Sequence, residues 1–76
     1  MKFSYQEQRE FDTIDADIAA LEEKLASLEA EIEDSASQYA RLGELMEEKE
    51  QTELALDQKM ERWVYLNDLA EQISQE

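Results

Sequence analysis

The sequence predicts an all-α protein, two long helices folded back on each other as an antiparallel coiled-coil hairpin. Three observations carry that expectation. The 76 residues include no proline and a single glycine, Gly43, so tight turns have almost no dedicated residues. Alanine, glutamate, leucine and glutamine are abundant, and these, like the chain's lysines, lose little on entering a helix. The apolar residues then recur in alternating steps of three and four, which keeps one seam of a helix facing a partner.

The first helix is expected over about residues 4–34. Ser4 followed three residues later by Glu7 reads as a capping box at its start. With Phe11 as heptad position a, Phe11, Ile18, Leu25 and Ile32 fall at a, and Ile14, Leu21 and Leu28 at d. That stripe ends at the next d position, Ser35, inside Asp34-Ser35-Ala36-Ser37. Short polar side chains of this kind compete with the helix for backbone hydrogen bonds, which predicts a bend over about residues 34–38. Ser35 with Gln38, or Ser37 alone, would cap the next helix. The rival is one unbroken helix of roughly 110 Å at about 1.5 Å per residue.

The second helix is expected over about residues 38–74 and is less regular. Its seam holds Leu42, Leu45, Leu56, Trp63 and Leu66, continues to Ala70 and Ile73, and is widened on one flank by Tyr39, Met46 and Met60. Lys49, Thr52 and Lys59 interrupt it, although lysine stems can cover apolar surface while the ammonium reaches water. Gly43 either allows close approach near the bend or simply weakens the helix there. Closing the hairpin brings residue i near residue ~72 − i, so Phe11 meets Met60 and Trp63, Ile18 meets Leu56, and Leu28 meets Leu45. Each helix is then about 45–55 Å long. A monomeric hairpin is favoured over a dimer, although a seam of this kind can also swap between chains. Residues 1–76 make one domain, and its abrupt finish inside a helical pattern suggests a piece of a longer protein.

Charge narrows the function. Twenty-one acids against seven bases give a net charge of −14. Residues 13–56 hold thirteen acids and three bases, which makes the bend half strongly acidic and the open end nearly neutral. Such a chain repels nucleic acid and anionic lipid. No apolar run approaches the roughly 20 residues of a membrane span, and no membrane contact is expected. Four of the seven cations (Lys2, Arg9, Lys59 and Arg62) lie at the open end near Tyr5 and Trp63. They either offset neighbouring Glu7, Glu10, Asp12 and Glu61 or form a small phosphate-contacting patch with stacking aromatics. The first alternative is favoured because the acids are interspersed.

Catalysis finds no footing. Histidine and cysteine are absent, so base chemistry would fall to a carboxylate, and nothing in the pattern builds a pocket to tune one. No catalytic, cofactor or metal residues are assigned. Glu22/Glu23, Glu29/Glu33 and Glu44/Glu48 read as solvated helix faces rather than cation sites, which normally wrap the ion with a loop. Off the seam, Leu54, Val64, Tyr65 and Leu69 fall at f, b, c and g of the second helix's register. Tyr65 and Leu69, one turn apart, are candidates for docking on a larger protein; scattered exposed apolar residues are the ordinary alternative.

The opening Phe3-Ser4-Tyr5-Gln6-Glu7-Gln8-Arg9-Glu10-Phe11 resembles the Leu-Ser-Tyr/Phe-Lys-Glu-Gln-Arg-Glu-Leu start of the C-terminal domain of ABC-F ATPases, Uup-like proteins in particular. The later features follow in the same order: Tyr39, the Arg41–Leu45 run and Glu61-Arg62-Trp63. The bend departs from the family, whose Asp-Pro stretch is replaced here by Asp34-Ser35-Ala36-Ser37. The resemblance implies a cytoplasmic parent with two ATP-binding cassettes, which would hold ATP and Mg outside this chain. It implies a non-enzymatic accessory module contacting DNA or the ribosome, or regulating the cassettes. Of these, docking on the cassettes or a ribosomal protein agrees best with the charge. The alternative is a structural coiled-coil spacer or oligomerisation segment.

Overall fold

A computed structural model describes residues 1–76 and contains two helices, α1 (Tyr5–Asp34) and α2 (Tyr39–Ser74), packed antiparallel. The molecule measures 58 × 16 × 14 Å, the length of one helix and the width of two. The single-helix alternative is excluded by that shape.

α1 begins where its capping box demands. The Ser4 hydroxyl accepts from the Glu7 backbone N–H at 3.1 Å, and the Ser4 backbone N–H donates to Glu7 Oε1 at 2.9 Å. Two backbone donors that a helix start leaves open are thereby satisfied. At the other end the Ser35 N–H reaches back to the carbonyls of Glu31 and Ile32. The connection is a single tight turn, closed by Gln38 N–H donating to the Ser35 carbonyl at 2.9 Å. No residue takes a positive φ, so this turn needs neither glycine nor proline. Gln38 is the N-cap of α2 and makes no side-chain cap, which corrects the expectation that Ser35 or Ser37 would supply one. Both serines are spent inside the turn, ahead of the first helical residue.

The core is a seam one side chain deep. Only five residues are buried: Ile14, Leu28, Leu45, Leu66 and Thr52. Phe11, Ile18, Leu21, Leu25, Ile32, Leu42 and Leu56 are half-buried along the same line, as are Lys49 and Lys59. Thr52, 3% exposed, donates its hydroxyl to its own helix at the Glu48 carbonyl, 2.8 Å away, so no buried polar atom is left unpaired. Gly43 faces open space: a Cβ there would meet nothing within 4 Å, so the glycine serves no close approach.

Four seam expectations need correction, and Tyr39, 86% exposed, and Met46, 55% exposed, do not widen the seam. Met60 is 52% and Trp63 41% exposed, and Phe11 stacks on Phe3, ring centroids 5.1 Å apart, in an aromatic pairing formed within the N-terminal segment. An indole is a large apolar ring with an N–H that requires an acceptor. Trp63 therefore lies along the flank and donates to Asp15 Oδ1 at 2.8 Å. Met60, at position e, sits at the seam's edge beside it.

Candidate interaction surface

The heptad register sorts the polar residues onto two unlike flanks. On α1 the g positions are Glu10, Asp17, Lys24 and Glu31, and each makes a cross-helix ion pair with α2. Arg62 holds Glu10 with two bonds, Nε to Oε2 at 2.9 Å and Nη2 to Oε1 at 2.7 Å. Lys59 reaches Asp17 at 3.2 Å, Lys24 meets Glu48 at 3.5 Å, and Arg41 meets Glu31 at 2.9 Å. This flank is zipped along its length. Exposed pairs contribute little singly, about 0.2–1 kcal/mol each, but opposite charges at facing positions also set register and orientation.

Near the open end the same chemistry tightens. The Tyr65 hydroxyl donates to Glu7 Oε2 at 2.7 Å, and the Arg62 guanidinium lies 4.7 Å from the centre of the Tyr65 ring. The Ser4 backbone N–H and the Tyr65 hydroxyl together hold the Glu7 carboxyl below its ordinary range. The Arg62 hydrogen bonds do the same for Glu10 against an opposing desolvation. Reciprocally, Glu10 holds Arg62 above its usual value, and Glu7 raises the Tyr65 phenol. Each shift favours the charge state that makes the contact.

Of the residues marked out for nucleic-acid or partner contact, Lys59, Arg62 and Tyr65 thus spend their polar groups within the hairpin. Leu69 is half-buried. Lys2 and Arg9 have no acidic partner within 4 Å, and Arg9 lies 5.9 Å from the Tyr5 ring centre. The structure therefore brings Arg62 and Tyr65 together and leaves Lys2 and Arg9 apart from them. Of the cross-helix partners, Glu7 and Glu10 are among the acids that the sequence sets against these cations, and Asp17 is not. The hairpin register would have found two of them, because Glu7–Tyr65 and Glu10–Arg62 both fall where residue i faces residue 72 − i.

The opposite flank has a different character. Met60, Trp63 and Val64 from α2 and Ile18 from α1 line a shallow apolar groove edged by Asp15 and Glu22. No helix is long and apolar enough to cross a membrane.

The molecule is thus a 58 Å two-helix hairpin with a serine–glutamate capping box, an ion-paired flank and an apolar flank. Residues 2–68 match the family described as ABC transporter C-terminal domain, and the chain belongs to that family. It is 40% identical over 72 residues to a Bacillus subtilis (strain 168) protein named as an uncharacterized ABC transporter ATP-binding protein, YfmR. The match takes in 95% of this chain and spans 11% of that protein's length. No solved structure matches.

Proposed function

We propose that this hairpin is the non-catalytic accessory arm of a cytoplasmic ABC-F ATP-binding protein and that it works by protein contact, on the parent's cassettes or on a ribosomal protein. ATP and Mg would be held by the cassettes. The observation that carries the reading is the internal pairing of Lys59 with Asp17 and of Arg62 with Glu10. A phosphate ligand would have to displace those carboxylates from a chain of net charge −14. A cationic protein surface meets no such penalty.

Two measurements test this. In the parent protein, removal of the hairpin should change ATP turnover or partner affinity, and an unrelated coiled-coil hairpin of equal length should not restore it. Full restoration would establish the spacer alternative. Fluorescence anisotropy with labelled duplex DNA should show no binding tighter than the roughly 10⁻⁴–10⁻⁶ M typical of non-specific contact at physiological salt. A second reading, nucleic-acid contact, is favoured by unpaired Lys2 and Arg9. It requires a salt-dependent signal whose slope falls by about one when either becomes alanine.

A further inference from the structure

The two flanks of the hairpin are unequally satisfied, and the difference identifies a binding surface. The g flank is bridged by four cross-helix ion pairs, and the groove it keeps at Ala20, Leu21 and Ala55 is edged by the paired Asp17, Lys59 and Arg62. The b and e positions of both helices, which form the other flank, carry no lysine or arginine at all. Their e positions oppose Asp15 to Met60, Glu22 to Glu53 and Glu29 to Met46 in antiparallel register, so no pair there joins opposite charges. Apart from the Trp63–Asp15 hydrogen bond, the acids of this flank make no polar bridge between the helices, and like charges at facing positions cost energy.

This flank is also where apolar surface remains open. Met60 and Val64 are each 52% exposed, and with Ile18 and Trp63 they line the groove that Asp15 and Glu22 edge. Further toward the bend, Met46 and Ile32 lie in a second, more polar groove, where Lys49 stands among Glu47, Glu50 and Glu53. Met46 and Met60 stand two heptads apart on one helix, about 21 Å at 1.5 Å per residue. An apolar stripe with predominantly acidic rims, Lys49 the one cation beside it, is the complement of an amphipathic helix with a leucine-type stripe and lysine or arginine edges.

We infer that the b/e flank, centred on Met60, Trp63 and Val64, binds a cationic amphipathic helix of a protein partner, which packs along the hairpin as a third strand of the coiled coil. This deepens the protein-contact reading above and rests on it. A second copy of the chain is disfavoured as occupant, because it would bring the same acidic rim and another net −14. Methionine suits the role, since its flexible thioether adapts to the side chains it meets.

Trp63 is the only tryptophan, so its emission reports occupancy of the groove directly. The probe is a synthetic leucine–lysine helix of about 18 residues, long enough to span both methionines at about 1.5 Å per residue. It should blue-shift Trp63 emission saturably, with affinity falling as salt rises. Met60→Lys with Val64→Lys should weaken it by at least about tenfold, as expected for charges placed in the apolar centre of a contact. Leu54→Lys, exposed at an f position, should leave it unchanged. Helicity by circular dichroism confirms that the variants fold. Equal binding of a scrambled peptide with no apolar face, absence of a Trp63 shift, or indifference to the double substitution would each overturn the inference. So would light scattering that shows the flank buried by self-association.

The same double substitution in the parent protein separates the two levels. If it preserves an effect that hairpin deletion abolishes, protein contact stands and this flank is not its location. If deletion itself has no effect, the accessory-arm reading fails as well.

Discussion

Thr52 is a polar residue in the middle of an apolar seam, and replacing it with valine should stabilise the hairpin. It is 3% exposed, and its hydroxyl donates to the Glu48 carbonyl, an acceptor that the helix itself already uses one turn back. Loss of the hydroxyl therefore leaves no buried group unsatisfied. The bond forgone is worth about 0.5–1 kcal/mol net at most, as for a neutral pair whose acceptor keeps another partner. Against it, valine adds a buried methyl worth about 0.8 kcal/mol. It also removes the desolvation of the hydroxyl, about 1–3 kcal/mol where uncompensated and less here. Valine and threonine have nearly equal helix propensity, so the backbone is indifferent. The expected balance is a gain of about 0.5–1.5 kcal/mol, and each kcal/mol moves Tm by about 4–8 °C in a domain this small. Thermal and urea unfolding followed by circular dichroism measure it, with an unchanged urea slope as the check that only stability moved. Thr52→Ser, which keeps the hydroxyl and loses the methyl, should destabilise. If Thr52→Val destabilises while Thr52→Ser is neutral, the hydroxyl holds the seam and the reasoning is refuted.

Gly43→Ala should raise stability by about 1 kcal/mol, because a new Cβ meets nothing within 4 Å and alanine is the better helix former; a lower Tm would show an unrecognised contact. Leu45→Ala or Leu66→Ala should cost about 2–5 kcal/mol, the usual loss for a fully buried leucine, measurable by urea unfolding. NMR titration of the Glu7 and Glu10 carboxyls should show both below the ordinary value, with Tyr65→Phe raising Glu7 and Arg62→Ala raising Glu10. Since their folded values are depressed, their contribution to stability is present above the unfolded value of about 4.3 and is lost as pH falls through the folded value. The Tyr65 phenol, raised by Glu7, contributes in the opposite sense, present below its unfolded value of about 10 and lost as pH rises through the folded one. If either carboxyl titrates at its ordinary value in the wild-type chain, the contact assigned to it is absent in solution.

The sequence by itself determined the elements and their register. Regular a and d spacing from Phe11 to Ile32, the Ser4–Glu7 box and the polar break after Ile32 are local signals, and a helix is a local structure. The hairpin register followed because one seam must face the other, and the Lys24–Glu48, Glu31–Arg41 and Glu10–Arg62 pairs all obey it. What only the tertiary structure decided was which side of the seam each wide or charged side chain took. Periodicity places Trp63 at a seam position, but it does not register that Asp15 waits as the acceptor of its indole N–H on one flank. It places Lys59 and Arg62 among aromatics at the open end, and that composition suits a phosphate patch as well as an ion-pair zipper. The choice between them depends on which acids the other helix brings within 3.2 Å, and that distance exists only once the hairpin is closed.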